Sequence, residues 1–351
     1  MVKHLLKSIL ALVVALSAVA APACAETALK GAGATFPHPL YSKWFRDYQA
    51  EDPSVTFSYE AKGSGEGIRK ILAGEVDFGA SDKFLTDEEL KGAPGKLLHI
   101  PTVIGAVAVI YNVPGVGSGL KLTPQALAGI YQGKITRWND PLLAGLNKKV
   151  RLPAKEIVVL HRSDGSGTTS IFTDYLSSVD ASWAKQIGKG ATVIWPVGVG
   201  AKGSSVLVKQ LKEIPFSIGY AEIAYALEND LAAAALQNGS GEFVKPSVLS
   251  TLAAAAQVMK KLEGKEQAAE SDYRLSFVNQ QGKGVYPIVG LTWLLVYQEQ
   301  RDAVKGRKLV EFLIWQLRIA EKMTSTLHYT PLPSSWADQV EKSIRSIRMP
   351  Q

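Results

Sequence analysis

The stretch Ile157-Val158-Val159-Leu160-His161-Arg162-Ser163-Asp164-Gly165-Ser166-Gly167-Thr168-Thr169-Ser170-Ile171-Phe172 holds the pattern from which the fold is read. Its first four residues are apolar and read as a buried strand. Ile171, Phe172, Tyr175 and Leu176 then recur at helical spacing. Between them lies a small, Gly-rich loop full of hydroxyls. A strand–loop–helix turn of this kind aims free backbone N–H groups at one point, backed by the positive end of the helix dipole. Ser166, Thr168 and Thr169 add hydroxyl donors, and Arg162 adds a fixed cation with a planar fork of N–H groups. Asp164, two residues on, is placed to hold that fork. The chemistry on offer is capture of a tetrahedral oxyanion. Taken alone, the stretch is first of all an ordinary Gly-rich turn.

It is repeated, which changes its weight. Gly63-Ser64-Gly65-Glu66-Gly67 follows alternating Val55, Phe57 and Tyr59 and precedes a helical Ile68, Ile71 and Leu72. Gly31-Ala32-Gly33-Ala34-Thr35-Phe36-Pro37 precedes a helix whose face is Leu40, Trp44, Phe45 and Tyr48. Gly198 to Ser205 is a fourth such loop, before a helix over 206–212. Several helix N-termini are therefore expected to converge on one anion. Val76 to Asp82 reads as a buried strand ending in an acid, at the strand end where open α/β sheets bind ligands. Thr86-Asp87-Glu88-Glu89 already caps the next helix, which leaves Asp82 for other work.

Alternating strands and helices predict an α/β fold. Leu98 to Val113 is nearly all apolar and reads either as two core strands or as one long strand crossing between lobes. Pro287 to Tyr297 is its natural mate. Near the end, an amphipathic helix is expected to bury Val304, Leu309, Phe312, Leu313 and Ile319, followed by a last helix over 336–346.

The ends and the composition restrict function. The chain has 351 residues, enough for two domains at roughly 150 each. Lys3 and Lys7, an apolar core over 9–20 and Ala23-Cys24-Ala25 read as a cleavable secretory signal; lipid modification at Cys24 is the competing reading. Cleavage after Ala25 removes the one cysteine, and with it any disulfide, thiol nucleophile or thiolate metal site. It also removes Lys3 and Lys7 and no acid, so the net charge goes from +7 to +5. No Lys/Arg block with interleaved aromatics points to nucleic acid. No Lys follows Gly167, so the loop is not a nucleotide P-loop. No Gly-x-Ser-x-Gly elbow is present, and the histidines lack metal spacing. Only His161, beside the Gly-rich loop, is a candidate base for a secreted phosphatase.

Three of these stretches, 31–37, 76–82 and 162–168, resemble signatures of the periplasmic phosphate-binding proteins that serve the high-affinity phosphate ABC transporter. Further matches are Pro101-Thr102-Val103-Ile104-Gly105, the Ile130-Tyr131 to Trp138 segment, Trp195-Pro196, Gly219-Tyr220 and Leu332-Pro333. The resemblance covers essentially the whole mature chain. It implies a two-lobed periplasmic-binding-protein fold of type II, two α/β domains joined by two crossing strands. Residues 26–107 and 287–351 would form a discontinuous first lobe and 108–286 the second. It implies, too, a ligand set. Thr35, Ser64 and Ser166 would donate through hydroxyl and N–H, Phe36 and Gly167 through N–H, and Thr168 through its hydroxyl. Arg162 would be the one cation, braced by Asp164, and Asp82 would accept a proton from the ligand. No cofactor is implied. The expected partners are inorganic phosphate and the transmembrane permease subunits, met by a monomer in the periplasm that is not an enzyme. Glu66 departs from the small residues usual after Ser64 and is expected to face solvent.

These residue types suit phosphate. Near neutral pH phosphate keeps a proton and sulfate keeps none. A buried Asp82 can accept from the protonated oxygen, whereas against sulfate it is unpaired and repelled. A site built to use a ligand's hydrogen bond rejects the analogue lacking it by about 10⁴-fold. Sulfate, molybdate or a phosphonate as ligand, and a surface scavenger without a transporter, remain the other readings.

Overall fold

The computed structural model of the chain describes residues 26–262 and 272–350. The leader read at 1–25 lies outside the described residues. Among the described residues twelve strands are present: β1 (Thr27–Gly33), β2 (Val55–Ala61), β3 (Phe78–Ser81), β4 (Leu97–Asn112), β5 (Lys121–Leu122), β6 (Val158–Arg162), β7 (Val199–Ala201), β8 (Ser217–Glu222), β9 (Ala232–Ala233), β10 (Ala235–Gln237), β11 (Phe243–Val244) and β12 (Val289–Tyr297). One curled sheet runs β2-β1-β3-β12-β4-β8-β6-β7, with β9 also against β4. The outer pairs on each side are parallel, as βα units require, and β12, β4 and β8 meet antiparallel at the centre. A small β11-β10-β5 sheet lies apart.

The apolar run after Lys96 is one strand, not two. β4 is buried from Leu97 through Tyr111, as a continuous hydrophobic run covered on both faces should be. Its partner changes part-way: Ala106 faces Val289 of β12, and Val107 faces Glu222 of β8. The fold is α/β with two lobes. The first lobe carries β1, β2 and β3, the second carries β6, β7 and β8, and β4 runs through both.

The Gly-rich loops are shorter than the sequence suggests, because the helices begin inside them. Helices start at Ser64, Gly167 and Ser204 rather than near 68, 171 and 206. Gly63, at φ +100°, makes the turn into helix Ser64–Leu72 abrupt, a conformation that suits only glycine there. β1 was not expected. Its small residues carry no alternation, and Gly31 lies under the Phe78 ring, where a Cβ would approach to 2.2 Å. In helix Ala303–Thr324, Leu309, Phe312 and Leu313 are buried and Ile319 is half-buried, as read. Val304 is the correction: it is 50% exposed, because the first helical turn projects beyond the core.

Candidate functional site

Two parallel pairs, β1 with β2 and β6 with β7, lie on opposite sides of the central strands and run antiparallel to each other, and each of the four strands feeds a turn that opens a helix. The chain thus brings the 34–37 turn, Ser64, Gly167 and Ser204 to one place, where β3 delivers Asp82 between the lobes.

Ser64 is the junction. Its Oγ accepts the N–H of Asp82 and, across the cleft, the N–H of Gly167, each at 3.1 Å. It also donates to Asp82 Oδ2 at 3.4 Å. A Cβ on Gly167 would fall 2.4 Å from Ser64 Oγ and 2.6 Å from Asp82 Cβ, so only glycine lets the lobes approach here. The N–H of Gly65 donates to Gly165 O at 2.7 Å, again between the lobes.

In the second lobe, Arg162 Nε donates to Asp164 Oδ1 at 2.7 Å and Nη2 donates to Oδ2, a bidentate pair. Arg162 Nη1 donates to Ser204 Oγ at 3.1 Å. Asp164 Oδ1 also accepts the N–H of Gly203 at 2.9 Å, which ties the two loops together. Ser204 Oγ in turn lies 2.9 Å from Thr35 Oγ1 in the first lobe.

Asp82 and Arg162 are 4% and 3% exposed. Burial raises the Asp82 carboxyl to about 7, against the opposing pull of the Thr292 hydroxyl, the Arg162 charge and Ser64. Thr292 Oγ1 donates to Asp82 Oδ1 at 2.9 Å and so fixes the carboxyl plane. Among the described residues, the N–H groups of Thr35, Phe36, Ser64 and Thr168 have no protein partner, and Thr168 Oγ1 is buried without one. A buried unpaired donor costs about 1–3 kcal/mol, so a cluster of them marks a place built to surround acceptor oxygens.

The structure brings together Thr35, Phe36, Ser64, Asp82, Arg162, Ser166, Gly167 and Thr168, with Asp164 behind Arg162. One detail is corrected. The N–H of Ser166 donates to Ala191 O at 2.9 Å, and its Oγ caps the Thr169 N–H at 3.1 Å, so only its hydroxyl hydrogen is left to give. Glu66 pairs with Arg69 on the outer side of its helix at 3.0 Å. His161 stacks on Trp195, centroids 4.8 Å apart, and its Nδ1 lies 3.0 Å from Arg162 O; burial lowers its pKa. Two residues were missed. Ser204 repeats the Gly-Ser helix start of Gly63-Ser64, and that echo could have found it. Thr292 sits inside an apolar strand and gives no signal.

The chain matches the family model of a PBP superfamily domain over residues 18–315. The phosphate-binding protein PstS of Xylella fastidiosa strain Temecula1 is 39% identical over 314 residues, which is 89% of this chain and 84% of that protein. The chain belongs to the PstS phosphate-binding protein family. PstS of Pasteurella multocida is 38% identical over 89% of this chain and 88% of its own. PstS of Methanocaldococcus jannaschii is 36% identical over 84% of this chain and 79% of its own. Among solved structures, a high affinity periplasmic phosphate-binding protein bound with phosphate superposes with a TM-score of 0.68 at 23% identity, covering 90% of this chain and 94% of that one. A phosphate binding protein from Stenotrophomonas maltophilia gives 0.65 at 24%, covering 90% and 93%. These structures share the two-lobed fold of this chain.

Proposed function

We propose that this PstS-family chain binds inorganic phosphate between its lobes and delivers it to a membrane ABC importer. The observation that carries the reading is the charge balance of the site. Arg162 is neutralised by Asp164, so the cleft offers many neutral donors, one shared cation and one extra acid, Asp82. Above about pH 7, where Asp82 is ionised, a fully deprotonated oxyanion would meet its carboxylate with lone pairs alone. A ligand that combines acceptor oxygens with a proton satisfies every group.

The roles follow from the geometry. Thr35, Phe36, Ser64 and Thr168 supply N–H donors, Thr35, Ser64, Ser166 and Thr168 supply hydroxyls, and Gly167 gives its N–H once Ser64 Oγ turns to the ligand. Arg162 spreads its charge over the site from the Asp164 brace. We assign the first lobe to 26–107 and 287–351 and the second to 108–286; the partner change of β4 between Ala106 and Val107 supports that division. The protein acts as a periplasmic, monomeric carrier after loss of a signal peptide, with the permease meeting the surfaces beside the cleft. Catalysis through the candidate base His161 finds no support: its ring is stacked on Trp195 and its Nδ1 lies against Arg162 O.

Calorimetry of the phosphate-stripped protein tests this. At pH 8, where Asp82 is ionised, one-to-one phosphate binding with no sulfate heat is expected. Equal binding of both anions would overturn the reading.

A further inference from the structure

The turn Ala34-Thr35-Phe36 is gripped in an unusual way. Three consecutive carbonyls each accept a tyrosine hydroxyl from a different part of the chain. Ala34 O takes Tyr59 at 2.7 Å, Thr35 O takes Tyr225 at 2.5 Å, and Phe36 O takes Tyr329 at 2.6 Å. Tyr59 comes from β2. Tyr225 comes from helix Ile223–Glu228 at the end of β8, and Tyr329 from the segment after the short 3-10 helix Ser325–Leu327. Burial pushes all three phenols upward, so each stays an O–H donor across the working range of pH.

The consequence lies on the other side of the peptides. In a trans peptide the C=O and N–H point in opposite directions, and the chain has no cis bond among the described residues. The Ala34 carbonyl shares its peptide with the Thr35 N–H, and the Thr35 carbonyl shares its peptide with the Phe36 N–H. These are two of the N–H groups without a protein partner. Pinning the carbonyls therefore sets where the two donors aim, and a hydrogen bond at the C=O strengthens the N–H of the same unit.

Tyr225 differs from the other two because it reaches across the cleft, from the second lobe to the first. Its helix is fixed at the start by Glu222, whose Oε2 accepts the Ala224 N–H at 2.6 Å, and at the end by Asn229, whose Nδ2 donates to Tyr225 O at 2.9 Å. The Tyr225–Thr35 bond exists only while the lobes are together.

We propose that Tyr225 is a positioning residue for the anion: on closure its hydroxyl takes the Thr35 carbonyl and aims the Phe36 N–H at the ligand. Lobe closure and completion of the cradle are then one event, although Tyr225 never touches the ligand. This rests on the phosphate reading above.

The test is Tyr225→Phe in the full mature chain, with inorganic phosphate as probe. The Thr35 carbonyl keeps the His38 N–H at 3.2 Å, so the fold is expected to survive. Phosphate affinity should fall about tenfold, carried by faster dissociation with little change in association. In 1H–15N spectra of the phosphate-bound protein the Phe36 amide should move, and the Thr35 amide, held by Tyr59, should not. Unchanged dissociation together with an unmoved Phe36 amide would overturn the proposal. A measurement on the unsubstituted protein covers a variant that fails to fold: the Thr35 carbonyl 13C shift should change when phosphate is added, and no change contradicts the coupling. If the unsubstituted protein binds no phosphate, the functional reading fails separately.

Discussion

Asp82 is a buried carboxyl at the cleft, held against its desolvation by Thr292, Arg162 and Ser64. An unfolded aspartate titrates near 3.9, whereas burial raises Asp82 to about 7. The folded state therefore holds its proton more tightly than the unfolded chain does. The stability this gives is full below about pH 4 and is lost as pH rises to about 7. Three pKa units correspond to about 4 kcal/mol, an upper bound. Urea unfolding of the phosphate-free protein at pH 4 and pH 8, beside Asp82→Asn, isolates the effect, since all other groups are common to both. The unsubstituted protein should lose stability relative to the variant across that window. Parallel behaviour would show that Asp82 does not titrate there. The same chemistry made some of these residues legible in the sequence. Thr35, Ser64, Asp82, Arg162 and Thr168 stand in polar loops or at a strand end, so their residue types declare a role. Thr292 is a hydroxyl among Leu291, Trp293 and Leu294, and nothing in its neighbours says which way it points.

The elements show why some boundaries were legible and others not. The long apolar run could not be resolved into one strand or two, because Pro101 and Gly105 look like breaks. Pro101 is accommodated opposite a register shift between Thr292 and Trp293 of β12, where the missing N–H disturbs least. Gly105 is there for space: a Cβ would meet the Phe36 ring at 2.6 Å. β7 was missed because three residues, Val199 to Ala201, are too few to show a period. The loop joining β6 to its helix depends on Asp164, which holds Arg162 with both oxygens and the Gly203 N–H with one. Asp164→Asn replaces an acceptor by a donor facing the guanidinium. Phosphate affinity should fall by about 10- to 100-fold, the loss of a charge-assisted bond, and the melting temperature of the phosphate-free protein should fall as well, because Arg162 is left buried without its counter-charge. Titration calorimetry checks the first and calorimetric melting the second; unchanged affinity would mean that Arg162 holds its place without the brace.

Across the whole molecule, each lobe has its own aromatic core and the lobes meet through polar groups. Phe45, Phe57, Tyr48 and Phe312 pack together in the first lobe, with Phe57 and Phe312 centroids 4.8 Å apart. Phe172 stacks on Tyr220 in the second at 4.3 Å. Between them run the Ser64–Gly167, Gly65–Gly165, Thr35–Ser204 and Thr35–Tyr225 hydrogen bonds. Rigid bodies joined by hydrogen bonds and a shared strand can part and close without repacking a core, the hinge behaviour of a clamp. The central claim is that Asp82 reads a proton on the ligand, and the phosphate-to-sulfate affinity ratio of Asp82→Asn tests it most directly. An asparagine amide donates where the carboxylate repels, so the ratio should collapse by about 10²-fold or more, with sulfate binding gained. A ratio equal to that of the unsubstituted protein would contradict the account.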